Sequence, residues 1–272
     1  MKELKFNLKY LFHRKEIYFV ILIVFLVNII HCFMTVNYCA HFADNHYIEN
    51  IRSAESQFIL YNIDVSLNAI IIIVLPIVCS LLFADSSFIE NKNKTFNILY
   101  TRINTNKNSF VRFILSLVIP LVICFLGFML NYLIMSLIFK NGLLGSIYQE
   151  TGFYQYMHLA NVLNNLRYNN LTLYIVVISL IASFTIGLLS CLSYSISKFL
   201  KHRIPIYFMP LLILIFCEFI FSNCHLGDYS LIRFLQPTTL HALSPVLIIS
   251  IVIFIIGLLL EIYNIFKKDH IL

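Results

Sequence analysis

Charge is what this chain has least of. Asp, Glu, Lys and Arg make up 12% of its 272 residues and hydrophobic side chains 60%, whereas charged residues supply about a quarter of an ordinary soluble domain. So much apolar surface must face lipid, which excludes a soluble globular protein. The seven glycines never fall in the GxxxxGK[ST] pattern whose backbone amides cradle phosphates. Any nucleotide hydrolysis that drives this protein therefore belongs to another chain. The seven cysteines include no CxxC pair and lie mostly inside apolar runs, where cysteine behaves as a small hydrophobe. Cys39 and Cys224 both fall in expected outer segments and could pair. No HExxH and no paired intramembrane glutamates occur, serine and histidine are scattered, and the His41–Asp44–His46 spacing suits one helical face poorly. These features point to a chain that is not an enzyme and binds no cofactor or metal of its own.

What is there is a set of apolar runs. Ile17 to Val36 is near the ~20 residues a spanning helix needs, and reads as a retained first span rather than a cleaved signal. Further runs at 65–84, 113–139, 171–193, 204–221 and 245–266 each cover a hydrocarbon layer of ~30 Å at ~1.5 Å per residue. The expectation is an all-α polytopic membrane protein with six spans in a single domain. Fifteen of the nineteen Lys and Arg residues fall in 1–16, 85–112, 194–203 and 267–272; only Arg52, Lys140, Arg167 and Arg233 fall between the other ends. Retention of positive charge on the cytoplasmic side then places both termini inside. The net charge of +6 is read as topology determinants and contacts with anionic lipid, not as a nucleic-acid surface. Residues 1–16 place Leu4, Leu8, Leu11 and Phe12 on one side and Lys2, Lys5, Lys9, Arg14 and Lys15 mostly on the other, the pattern of an interfacial helix.

The longest strongly basic interruption is 85–112. Phe88, Phe96, Leu99 and Ile103 recur there at spacings that sum to whole helical turns, with Glu90, Lys92, Asn93, Asn97 and Arg102 elsewhere on the wheel. A short amphipathic helix over 86–103 is expected, between the second and third spans. Asn104-Thr105-Asn106 should break it, and Ser109 should cap the next helix. On the outer side, 37–64 is polar and acidic and long enough for a short helix. Residues 140–170 crowd Tyr148, Phe153, Tyr154 and Tyr156, which suit a membrane interface in a chain without tryptophan. The weakly polar 222–244 could dip into the bilayer if protein buries its backbone.

Few polar residues lie within the spans. The mid-span amides Asn28 and Asn131 and the carboxylate Glu218 are the candidates for a translocation path, Glu218 being equally open to bonding to a neighbouring helix. Glu261 is expected to snorkel toward Lys267 or Lys268.

Along essentially its full length the chain resembles an ABC-2 type permease, the transmembrane subunit of a type V ABC exporter. The local likeness lies in FIENKNKTFNILYTRINTNKNSFVRF, where Glu90, Thr95, Leu99, Thr101, Arg102 and Arg112 match family positions and Lys94 stands where glycine is usual. The resemblance implies that 86–103 is a coupling helix. Glu90, Thr95, Phe96, Leu99, Thr101, Arg102 and Ile103 would then dock on a separate ATP-binding subunit that holds ATP and magnesium. It further implies a second permease copy or paralogue, a plasma-membrane location, and export of an amphipathic peptide, lipid or drug-like cargo, or self-immunity; the richness in Ile, Asn, Lys and Phe suits a low-GC Gram-positive bacterial source. An ion-driven secondary carrier and a non-transporting scaffold or immunity protein are the rival classes.

Overall fold

The computed structural model describes residues 2–41, 54–55, 57–60, 65–86, 89, 105–139, 163, 166, 169–200, 202–237 and 243–269. Among these the chain is helical: α1 Lys2–His13, α2 Lys15–His41, α3 Val65–Ser80, α4 Thr105–Ile138, α5 Leu171–Ser197, α6 Arg203–Asn223, α7 Leu231–Leu235 and α8 Ser244–Asp269. Five of them, α2, α4, α5, α6 and α8, contain apolar stretches long enough to cross a membrane. The 16 residues of α3 rise only about 24 Å, short of the expected 65–84 span. Pro76 sits in its second half, and after Ser80 the chain tightens into i→i+3 bonds, Leu81 N–H to the Val78 carbonyl and Leu82 N–H to that of Cys79.

Within the bundle α5 is the central helix. Its apolar window is 72% buried, against 17–44% for the other four candidate spans, and it packs on α3, α4, α6, α7 and α8. Its sequence explains the position. Gly187, Ser190 and Ser193 keep the backbone approachable, and the Ser183, Thr185 and Ser193 hydroxyls donate to carbonyls one turn back, so none needs water. At Gly187 a Cβ would stand 2.6 Å from the Leu117 carbonyl oxygen, so this glycine sets how closely α4 and α5 meet. On the other side of α4, a Cβ at Gly127 would meet Val24 Cγ1 at 2.8 Å and Asn28 Nδ2 at 3.0 Å. Thus α4 is gripped between α2 and α5.

The expected boundaries need correction mainly at α4. Asn104-Thr105-Asn106 was expected to break the chain and Ser109 to cap a helix starting near 113, yet the helix begins at Thr105 and Ser109 lies inside it. Its 34 residues rise about 51 Å, so its first turns extend past any single hydrocarbon layer. The polar residues of those turns do not end the helix because other side chains satisfy them, as described below.

The ends of the bundle differ. At one end, 54–55, 57–60 and 227–237 tuck inward. Ala54, Phe58, Ile59 and Leu60 are buried, Phe58 meets Tyr132 edge-on at 5.9 Å, and Leu231, Phe234 and Leu235 of α7 are buried against α5, α6 and α3. Of the weakly polar 222–244, Ser230, Leu231, Phe234, Leu235 and Pro237 are buried within the bundle, while residues 222–226 are exposed. In 37–64, expected to be polar, acidic and long enough for a short helix, the preceding helix continues to His41 with Asn37 exposed, while Ala54, Glu55, Phe58, Ile59 and Leu60 are buried.

Cys79 of α3 and Cys124 of α4 are both fully buried, with Sγ atoms 3.3 Å apart. Molecular iodine, a membrane-permeant oxidant, should link them. Trypsin cleaves between them at Lys92, Lys94, Arg102, Lys107 and Arg112, so mass spectrometry should recover a reducible peptide pair that Cys79→Ser abolishes. Failure to recover it would mean that α3 and α4 do not meet here.

Candidate functional site

The second end of the bundle carries α1, the ends of α3, α5 and α8 and the starts of α4 and α6, which are the segments richest in Lys and Arg. Arg14 occupies the one-residue break between α1 and α2, and only 8% of it is exposed. Its Nη2 donates to Asp85 Oδ1 at 2.8 Å and its Nη1 to the Leu82 carbonyl at 3.3 Å, a carbonyl left over where α3 has ended. Tyr207 of α6 donates to the other carboxylate oxygen of Asp85 at 2.7 Å, and Ser80 Oγ reaches the Tyr207 carbonyl at 3.2 Å. Glu16 stands on the solvent side, 3.3 Å from Arg14. Burial works against the Arg14 charge, but Asp85, with help from Glu16, more than offsets this and holds the guanidinium pKa above its ordinary value.

A second cluster joins α1 to α4. Asn7 is fully buried; its Nδ2 donates to Asn108 Oδ1 at 2.7 Å and to the Glu3 carbonyl at 2.8 Å, while its Oδ1 accepts from Arg112 Nε at 2.8 Å. The Tyr10 ring lies between the two guanidiniums, with centroid distances of 5.9 Å to Arg14 and 5.5 Å to Arg112.

In the third cluster Lys198, just past the end of α5, donates to both Ser109 Oγ of α4, at 2.7 Å, and the Glu261 carboxylate of α8. It also sits over the Tyr194 ring at 4.6 Å. The snorkelling expected of Glu261 toward Lys267 or Lys268 is therefore corrected: its side chain is 1% exposed and paired with Lys198. A buried cation within reach removes any reason for the carboxylate to travel to the surface. Asn264, one turn on, donates to the Ser195 carbonyl at 3.4 Å.

These clusters bracket the expected docking helix. Asp85 stands at its approach; Asn108, Ser109 and Arg112 stand just past its exit. Glu90, Thr95, Phe96, Leu99, Thr101, Arg102 and Ile103 themselves lie outside the described residues, as do Tyr148, Phe153, Tyr154, Tyr156 and His46.

The other expected residues sit toward the opposite end. Asn28 and Asn131, both fully buried, come together: Asn131 Nδ2 donates to the Asn28 carbonyl at 3.0 Å and approaches His31 Nδ1 at 3.1 Å, and its Oδ1 accepts the Ile59 N–H at 3.1 Å. The Ile59 N–H requires an oxygen, which fixes the amide orientation. His31 Nδ1 is then an acceptor and its Nε2 carries the proton, facing Thr35 Oγ1 at 3.5 Å. Asn131 thus ties α2, α4 and the inserted 54–60 segment together. Glu218 accepts from Ser230 Oγ, and Ser230 is the N-cap of α7, bonding the Ile232 N–H at 3.2 Å. Of the two uses open to Glu218, the structure exhibits the bonded one. Cys224 is a free, exposed thiol, and the Cys39 side chain lies outside the described residues.

Arg14, Asp85, Asn7, Asn108, Lys198 and Tyr207 were not singled out by pattern. The signal was present: Arg14, Asp85, Arg112 and Lys198 each abut an apolar run, the depth at which a charge must be paired or reach headgroups. Counting them only as topology markers hid their pairing.

No protein-family model, curated protein or solved structure matches this chain.

Asp85→Leu should destabilise the detergent-solubilised protein by about 3 kcal/mol, the lower end for a broken buried pair because Glu16 still neighbours Arg14. Arg14→Met combined with Asp85→Leu should recover most of that loss. A double-mutant cycle on thermal unfolding reads both effects, and a single variant as stable as the parent would remove the pair from the account.

Proposed function

We propose that this chain is the transmembrane subunit of an ATP-driven exporter of the ABC-2 type, moved by an ATP-binding subunit encoded separately. In this reading six helices, α3 included, cross a bacterial plasma membrane with both termini in the cytoplasm, and 86–103 forms the coupling helix. One observation carries the reading: the chain on both sides of that segment is anchored by buried polar bonds. Asp85 connects its approach to α1, α2 and α6 through Arg14 and Tyr207. Asn108, Ser109 and Arg112 connect its exit to α1, α5 and α8 through Asn7, Lys198 and Glu261. A partner that pulls on the segment therefore acts on the whole bundle, as a motor subunit must. A solvated connecting loop would need no such anchoring.

Within the segment, Phe96, Leu99 and Ile103 supply the apolar ridge and Glu90 and Arg102 the charge-assisted bonds at its rim. Thr95 and Thr101 lie between them. The cargo is an amphipathic peptide, lipid or drug-like molecule that partitions into the bilayer, moved between two permease copies. Leu99→Asp and Arg102→Glu should each release the ATP-binding subunit and abolish ATP-dependent transport while leaving membrane insertion intact. Normal transport and unchanged copurification of an ATPase in both variants would refute the coupling role.

An ion-driven carrier is the second reading, and Glu55 favours it: this carboxylate is fully buried at the inserted end, close enough to Tyr132 to act on it electrostatically. Glu55→Gln should leave ATP-driven uptake into inverted vesicles within about twofold of the parent. Loss of transport that responds to a proton or sodium gradient without ATP would decide for the carrier.

A further inference from the structure

Viewed down its axis, α1 divides into three sectors. Asn7 and Leu11 face the bundle, Asn7 fully buried and Leu11 1% exposed. Next round the wheel come Leu4, Leu8 and Phe12, with Leu4 44% and Phe12 55% exposed. Beyond them stand Lys5 and Lys9, both exposed. The apolar side expected from the pattern is therefore split, Leu11 turning inward and Leu4 and Phe12 outward. The outward apolar strip is continuous with α2: Tyr18 donates to the Phe12 carbonyl at 3.1 Å, and Tyr18, Phe19 and Leu22 are all exposed. Lys5, Lys9 and Lys15 form no ion pair among the described residues, while the neighbouring Glu16 is engaged with Arg14.

We propose that this outward face of α1 is a docking surface for anionic lipid headgroups, with Leu4, Leu8 and Phe12 in the acyl layer and Lys5, Lys9 and Lys15 on the phosphates. The order of sectors decides the occupant. The apolar strip lies between the bundle and the lysines and runs into a helix apolar enough to span, so it enters the acyl layer at the bundle's rim. The lysines then come to headgroup depth, where unpaired cations complement anionic lipid. Because Asn7, on the inner side of the same helix, holds Asn108 and Arg112, the depth of α1 also sets the position of the first turns of α4. Anionic lipid content thereby becomes an input to the bundle. None of this depends on which motor, if any, drives the chain.

The chain has no tryptophan, so Phe12→Trp creates a single selectively excitable reporter. The full-length variant is placed in phosphatidylcholine vesicles containing equal fractions of either brominated phosphatidylglycerol or brominated phosphatidylcholine. Quenching by the anionic lipid should be about threefold the stronger. The preference should fall toward unity when Lys5, Lys9 and Lys15 are also changed to Gln. It should fall likewise for Phe12→Trp alone at ~1 M salt, where the screening length shrinks to about 3 Å, a readout that needs no lysine substitution. Equal quenching by the two lipids at low salt would overturn the anionic preference. Absence of quenching by both would mean that protein, either a partner or a second copy, covers the face, and would overturn the proposal outright.

Discussion

A charge held out of water must have a partner, and at the basic end of this bundle that requirement determines which helices touch. Arg14 cannot be buried without Asp85, and Asp85 has a second oxygen that Tyr207 satisfies. The end of α3, the start of α6 and the α1–α2 break are joined by one carboxylate. The same logic repeats with Lys198, whose ammonium draws Ser109 and Glu261 together from α4 and α8. Apolar packing alone would leave these helices free to slide, since lipid tails are as apolar as the side chains they would contact. The polar bonds choose one arrangement.

The two ends use different chemistry for closure. At the basic end the seams are charged and amidic, built from side chains near helix ends together with Asn7 from within α1. At the other end the seams are mostly apolar, formed by the 54–60 and 227–237 insertions, with Asn131 as a polar anchor that takes the Ile59 N–H. Between the ends runs α4, meeting α2 at Gly127, where the Val24 and Asn28 side chains crowd the position, and α5 at Gly187, where the Leu117 carbonyl leaves no room for a Cβ. Pro120 lies inside α4 between Asn108–Arg112 and Asn131, where its missing N–H removes one bond of the helical ladder.

Apolar run length made the candidate spans legible, because burial in lipid imposes a minimum length that sequence reports directly. Helix boundaries were less legible for an equally physical reason. The Asn-Thr-Asn step at 104–106 has the composition of a break, yet α4 already begins at Thr105, and Asn7 and Lys198 supply partners from distant sequence for Asn108, Ser109 and Arg112 in its first turns. Glu261 posed the same difficulty: nearby Lys267 and Lys268 were visible in sequence, whereas Lys198, 63 residues away, became its partner only through packing. The shortness of α3 was not legible in the apolar run 65–84: Pro76 lies inside it, but α4 and α6 also contain a proline and run on. Tertiary pairing is not local information, so single-sequence reading assigned to solvent or headgroups the charges that the bundle keeps for itself.

Breaking a buried ion pair by removing one partner costs more than the intact pair contributes relative to apolar packing. Such a pair therefore adds little to overall stability but penalises any arrangement that separates it, which makes it a selector of states. Arg14 has a further property in this respect. It lies 2.8 Å from the fully buried Asp85 and 3.3 Å from Glu16, whose side chain is 38% exposed. If Asp85 is drawn away with the segment that follows it, Arg14 keeps a carboxylate beside it and is not stranded. The cost of separating α3 from the α1–α2 break is then the loss of one strong partner rather than the creation of an isolated buried charge. A pair built in this way holds one arrangement at rest and still permits a second, which an Arg–Asp pair without Glu16 would forbid.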